Sequence, residues 1–196
     1  RRPVSLSVLT ETLAEAFVDV RERRLVTDPD TPLSLVTSSF GSAWDVYIVA
    51  YDVEGLQSGA YKYDVVTRRL EARRTDHPDI RSYMCDALQG QRPPATAGFT
   101  VILVADFPRY QWRYRHDRAL RVLYLESGIV SQYVVLAAWA RGLATLVTPA
   151  QKDSAVSDLL GLDSTVLSPI TTLTVGWSRG RRGSLLEGID TEDCPE

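Results

Sequence analysis

Cysteine, histidine and methionine are scarce in this 196-residue chain, at two, two and one. Cys85 and Cys194 lie too far apart in sequence to suggest a disulfide framework, so reduced thiols and a cytoplasmic location are expected. The histidines, His77 and His116, give no metal-ligand spacing with them, and no metal is expected. Charge of one sign is also missing. Lys and Arg number 22 against 25 Asp and Glu, a net charge of -3, which removes bulk attraction to nucleic acid or an anionic membrane. The longest apolar stretch, Trp112 to Gly142, is interrupted by Arg121, Glu126 and Arg141, leaving less than the roughly 20 apolar residues a bilayer span needs. No signal-peptide pattern is visible, although the chain begins at Arg1 rather than Met. Phosphate-cradling glycine loops, dinucleotide fingerprints, a Gly-x-Ser-x-Gly elbow, internal repeats and low-complexity tracts are absent too.

What remains is the composition of an ordinary soluble domain, 44% hydrophobic and 24% charged, and one domain spanning 1–196 is expected, with a basic then acidic extension from 176. Its organising stretch is Trp112 to Gly142. From Leu120 onward the apolar residues fall on nearly every side of a helical wheel, predicting a helix buried on several sides, with Glu126, Gln132 and the tyrosines inside protein.

Ahead of it, Leu6, Leu9, Leu13, Phe17 and Val20 predict one amphipathic helix from Ser5 to Arg23, started by Pro3 and Ser5 or Ser7. Residues 27–32 and 37–42 carry turn and loop chemistry. Asp45 to Tyr51 reads as a strand, and Ala60 to Val66 with Arg69 to Ala72 as a half-exposed hairpin. A helix is expected from Ile80 to Leu88 with Cys85 as a small core residue, then a strand covered on both faces at Phe99 to Ala105. A polar loop should lead into the long helix. Beyond it come a short strand at Leu143 to Thr148, a helix capped by Asp153 or Ser154 and ended by Gly161, and a last strand at Ile170 to Gly176. Strands interleaved with helices in this way describe an α+β or mixed α/β sandwich around one central sheet.

The ordered pieces DVYIVAYDV, GLQSGAYKYDVVTRRLE, FTVILVADFPRYQWRYRHDRALRVLYLESGIVSQYVVLAAWARGLATLV, DLLGLD and ITTLTVGW, preceded by Ser38-Ser39, resemble the SagB/McbC-type dehydrogenases of the nitroreductase superfamily. The likeness runs from about Thr37 to Trp177. It implies an α+β fold with a mixed or antiparallel sheet flanked by helices and a long central helix. It further implies a homodimer holding FMN at the subunit interface, and oxidation of azolines to azoles in a ribosomally made precursor peptide, with other biosynthetic enzymes as possible companions. Azoline oxidation removes a proton and a hydride, which calls for a base beside the substrate and a flavin as acceptor.

The resemblance also assigns roles. Arg113-Tyr114 falls where the family has a Lys-Tyr pair, making Tyr114 the matched proton-transfer group and Arg113 a cation beside it. An arginine keeps its charge at ordinary pH, so it cannot act by giving up a proton. Ser38 and Ser39 match a small-residue loop lining the flavin, Gln132 a polar residue of the long helix, and Pro149-Ala150 a segment whose backbone approaches the ring. Arg179 and Arg181, with Arg182, follow the last strand where relatives place a basic residue for the FMN phosphate, and Arg1 and Arg2 lie near an N-terminal arginine-rich phosphate site. Ile129 stands where histidine is common and Pro149 where glycine is common. Those departures define one alternative, a flavin-free subunit supporting an active paralogue; a third reading keeps flavin but changes the reaction, to a nitroreductase-like enzyme using a reduced nicotinamide on a small acceptor.

Overall fold

The computed structural model describes residues 2–25 and 42–178, and only the backbone of Trp112 and Arg113. The turn at 27–32, nearly all of the 37–42 loop, and everything from residue 179 lie outside the described residues.

β1 (Val4–Ser5) runs into α1 (Leu6–Ala16), and the Ser5 hydroxyl caps that helix by accepting the Val8 amide at 3.3 Å. The single helix expected to Arg23 is two helices, because the chain breaks at buried Phe17 before α2 (Val18–Leu25) begins. Then come β2 (Trp44–Ala50), β3 (Val53–Glu54), β4 (Gly59–Asp64) and β5 (Arg69–Arg74). Asp64 shapes the β4–β5 turn by accepting from the Val66 amide and the Thr67 hydroxyl. Asp79 caps α3 (Ile80–Ala87), on which Cys85 is half-buried rather than a core residue. After a 3-10 turn at Pro93–Ala95 the chain enters β6 (Phe99–Asp106).

Where a polar loop was expected the chain forms α4 (Phe107–Arg113): Asp106 accepts the Arg109 amide at 2.9 Å, and Pro108 sits in the first turn, where no amide is needed. The long helix is accordingly shorter than the Trp112 to Gly142 stretch. It is α5 (Ala119–Ala140), followed by β7 (Leu143–Thr148), α6 (Asp153–Leu160) and β8 (Leu167–Trp177). Neither Asp153 nor Ser154 caps α6. Lys152 holds that position without a side-chain bond, and Asp153 is the first helical residue, where its charge meets the helix dipole. Gly161, at φ +65°, ends it in the left-handed conformation glycine adopts freely.

Six strands form one sheet in the order β5-β4-β2-β6-β8-β7, with every pairing antiparallel. β2 and β6 occupy the middle and are buried on both faces, as their continuous apolar runs require. Val46, Ile48, Val101 and Leu103 point toward α1 and α5, while Tyr47, Val49, Ile102 and Val104 point toward α3 and α6. A separate parallel pairing of β1 with β3 ties down the N-terminal end.

One charge interrupts β2. Asp45 accepts from Arg24 of α2 at 2.7 Å, Lys62 of β4 at 2.8 Å and Arg109 of α4 at 3.2 Å. Burial alone would raise its pKa. The hydrogen bonds from Lys62 and Arg24 and the charge of Arg109 outweigh burial and hold the carboxyl far below the usual range.

α5 is buried on one side only. Leu123, Val130, Val134, Ala137 and Ala138 face the core, whereas Leu120, Tyr124, Leu125, Ile129, Leu136 and Trp139 are each more than half exposed. Gln132, Tyr124 and Tyr133 are therefore not inside this chain, and Glu126 is partly buried, 3.9 Å from Arg23. Length and composition would let α5 cross a bilayer, but here it packs against α1, β7 and β8.

Candidate functional site

Two hollows lie along α5. The first, about 360 Å³, opens between the middle of the helix and the β7–β8 pair. Gln132 and Pro149 both line it, so two of the residues assigned to the flavin meet in one cavity. Gly128 and Ser131, one helical turn apart, complete the helix wall. A Cβ added at Gly128 would meet nothing within 4 Å, although glycine inside a helix costs about 1 kcal/mol relative to alanine. The Ser131 hydroxyl is buried and has no hydrogen-bond partner among the described residues. Val135, Val147 and Ile170 give the cavity apolar walls.

Thr148 holds the far rim. Its hydroxyl accepts the Ala150 amide at 3.0 Å and the Gln91 side chain at 3.1 Å, and its carbonyl accepts the Thr172 hydroxyl at 3.0 Å. Pro149 has no amide hydrogen and that of Ala150 is already engaged. This segment thus presents a bound ring with a surface and not with a free amide donor.

The second hollow, about 590 Å³, lies at the N-terminal end of α5 and contains Tyr114 together with Phe107, Tyr110, His116 and Leu120. Tyr114 ends α4, donating its amide to the Tyr110 carbonyl at 3.0 Å. The Tyr110 ring lies 4.7 Å from the Tyr114 ring, and its hydroxyl donates to the Ala119 carbonyl at 2.7 Å, which joins α4 to the start of α5. His116 meets Tyr114 edge-on at 6.1 Å. Within one chain the two hollows are distinct but neighbouring: Leu120 of one and Tyr124 of the other are one helical turn apart on α5, whereas Leu120 and Gln132 are roughly 18 Å apart.

Arg2 sits elsewhere again. Its guanidinium stacks on the Trp177 ring at 4.2 Å, and the Trp177 indole donates to the Pro3 carbonyl at 3.0 Å. Trp177 pairs with Leu143 and Thr172 with Thr148, placing Arg2 at the opposite end of the β7–β8 pair from Pro149, roughly 17 Å away. Arg1, Ser38, Ser39, Arg179 and Arg181 lie outside the described residues, as does the Arg113 side chain.

A family model described as the nitroreductase family matches residues 1–177. The chain belongs to the nitroreductase family. Its antiparallel sheet flanked by helices is the nitroreductase fold. Trifolitoxin operon protein TfxC of Rhizobium leguminosarum bv. trifolii is 27% identical over 184 residues, 90% of this chain and 51% of TfxC. Trifolitoxin-processing protein TfxB of the same organism is 28% identical over 133 residues, 67% of this chain and 36% of TfxB. The chain thus spans about half of one relative and about a third of the other. Among solved structures, a chain of the E. coli microcin synthetase McbBCD complex, with truncated pro-MccB17 bound, superposes with a TM-score of 0.71 at 21% identity. That match covers 92% of this chain and 66% of the other, a likeness of fold.

The residues present in this nitroreductase-family chain fit a flavin. The cavity has apolar walls for a planar ring, an open place at Gly128, an unsatisfied hydroxyl at Ser131 and an amide at Gln132. Gly128, Ser131 and Tyr110 were not singled out from the sequence. The signal for the first was legible: a glycine inside an otherwise apolar helix costs stability relative to alanine and so points to a packing or functional reason. Ser131 carries no such mark, since a buried serine normally bonds within its own helix.

Proposed function

We propose that this chain is an FMN-dependent oxidoreductase that dehydrogenates thiazolines or oxazolines in a ribosomally made peptide. The observation that carries the reading is the cavity in which Gln132 and Pro149 meet an unsatisfied Ser131 hydroxyl and the open side of Gly128. Family membership supports the oxidoreductase class, and the trifolitoxin relatives support peptide processing.

Gln132 and Ser131 would hold the polar edge of the cofactor, and Pro149 and Val147 would cover its ring. Bound FMN would supply a two-electron acceptor for the hydride lost as an azoline becomes an azole. The chain's part is to hold the azoline and take its proton. Tyr114 occupies a cleft large enough for a five-membered ring with its flanking backbone, and Tyr110 fixes its ring from behind. A twofold axis crossing α5 near Ile129 would run two copies antiparallel, covering the exposed stripe. It would also bring Tyr114 of one copy toward Gln132 and Pro149 of the other.

Purified protein reconstituted with FMN tests this directly. Retained yellow flavin released on heating is the expected result, and Tyr114→Phe should lower azoline-peptide oxidation about 10²–10⁴-fold without lowering flavin content. The second reading, a flavin-free partner subunit, is favoured by the engaged Ala150 amide. Colourless protein that takes up no added FMN would decide for it. Consumption of a reduced nicotinamide without peptide would instead favour the nitroreductase-like alternative.

A further inference from the structure

The two edges of the sheet carry opposite chemistry. β7 (LATLVT) has no charge, whereas β5 (RLEARR), with Arg68 in the turn before it, sets Arg68, Arg69, Arg73 and Arg74 within seven residues. All four are exposed, in a chain whose net charge is -3. None of the four forms an ion pair among the described residues, while Arg23, Arg24, Arg81, Arg109 and Arg141 all do. Arg73 also reaches the Tyr47 hydroxyl, which leaves most of its guanidinium donors over.

An outer antiparallel strand turns the N–H and C=O groups of alternate residues away from the sheet. Arginines beside such a row repel a second copy of the same edge, which keeps the molecule from stacking on itself. The same charges attract an acidic strand, because opposite charges facing each other across a pair stabilise it. A register shift opposite Ala60 and Tyr61 makes Arg73 the extra residue of β5, and the pairing puts Arg69, Glu71 and Arg74 on the face of Lys62 and Ala60, with Leu70 and Ala72 on the other. An added strand with alternating acids would thus set its acids along the arginine-bearing face.

We propose that β5 is the docking edge for an extended acidic segment of a peptide or protein, which joins the sheet as a seventh strand. Charge and strand geometry carry this, and it stands whether or not the azoline reading does. The docked segment would lie six strand spacings, roughly 29 Å, from β7 and its cavity, so docking and chemistry would use different parts of the bound chain.

A fluorescein-labelled peptide of alternating glutamate and threonine, titrated with the full chain, tests it by polarisation. The expected result is saturable binding that weakens with salt, falls roughly tenfold or more in the Arg69→Glu/Arg74→Glu variant, and slows hydrogen exchange at the amides of residues 69–74. The variant's thermal midpoint should stay with that of the parent, since both side chains are exposed. Several results would overturn the proposal: no saturable binding, equal binding of the same peptide methylated at alternate amides, or equal binding of oligothymidylate. So would binding that appears only after removal of residues 183–196, because that acidic stretch of the chain itself would then be the occupant.

Discussion

The two faces of the sheet are finished differently. On one, α3 and α6 close over Tyr47, Val49, Ile102 and Val104, and neither helix leaves a large apolar side chain exposed. On the other, α1 and α5 close over Val46, Ile48, Val101 and Leu103, yet the outward stripe of α5 stays open from Leu120 to Trp139. The first face is covered by its own chain except at the edge strand β7, where Leu146 is exposed. The second carries an apolar surface of the kind that marks an interaction site, and both hollows with the residues assigned to chemistry lie along it. The well-covered core and the open apolar surface are thus divided between the faces.

The sharpest test of that division is Asp45, whose side chain shares the closed face with Tyr47 and Val49. Asp45→Ala leaves Arg24, Lys62 and Arg109 facing one another around an emptied place and should cost about 3–4 kcal/mol in denaturant unfolding. Its folded pKa is depressed, so the native contribution is complete above the unfolded value of about 4 and is lost as pH falls below it. The gap between parent and variant should stay level from about pH 5 to 8 and shrink in acid. A gap that widens toward pH 8 would contradict this account of the network.

Next in size is Met84→Ala. Met84 is fully buried between α3 and the sheet, and its truncation should cost about 2–3 kcal/mol by leaving a cavity. Smallest in stability, and most telling, is Ile129→Glu on the open stripe. At dilute concentration it should leave unfolding within about 0.5 kcal/mol of the parent, because Ile129 is more than half exposed. Light scattering should show a dimer for the parent and a monomer for the variant. If Ile129→Glu destabilises as strongly as Met84→Ala, or the parent is already monomeric at micromolar concentration, the open face is not an interface.

Much of the closed side was legible beforehand. Continuous apolar runs marked β6 as central, β-branched residues marked β2, and the spacing Ile80, Met84, Ala87 placed α3. The differences fall at helix boundaries, where a break at Phe17 or a shift of one or two residues changes the role of a side chain, and on the coverage of α5. A polar loop was expected before the long helix, and there Asp106 caps α4 instead; Asp153 was a candidate cap and is the first helical residue. Gln132 was expected inside protein and stands on the surface, because an all-round apolar wheel does not say which side the rest of the chain will cover. Of the assigned site residues, Gln132 and Pro149 meet in one cavity, while Tyr114 and Arg2 lie apart from it.

Local order alone settled the strand and helix alternation of this nitroreductase-family chain, since the period of apolar residues and the turn chemistry act within a few residues of themselves. Tertiary structure alone decided the strand order, the gathering of three cations on Asp45, and the hollow behind Gly128 and Ser131. Each of these joins groups far apart in sequence, and their meeting depends on how the whole sheet is covered. The same holds for the bare arginines of β5: the sequence displays their number, but only the sheet order puts them on an edge.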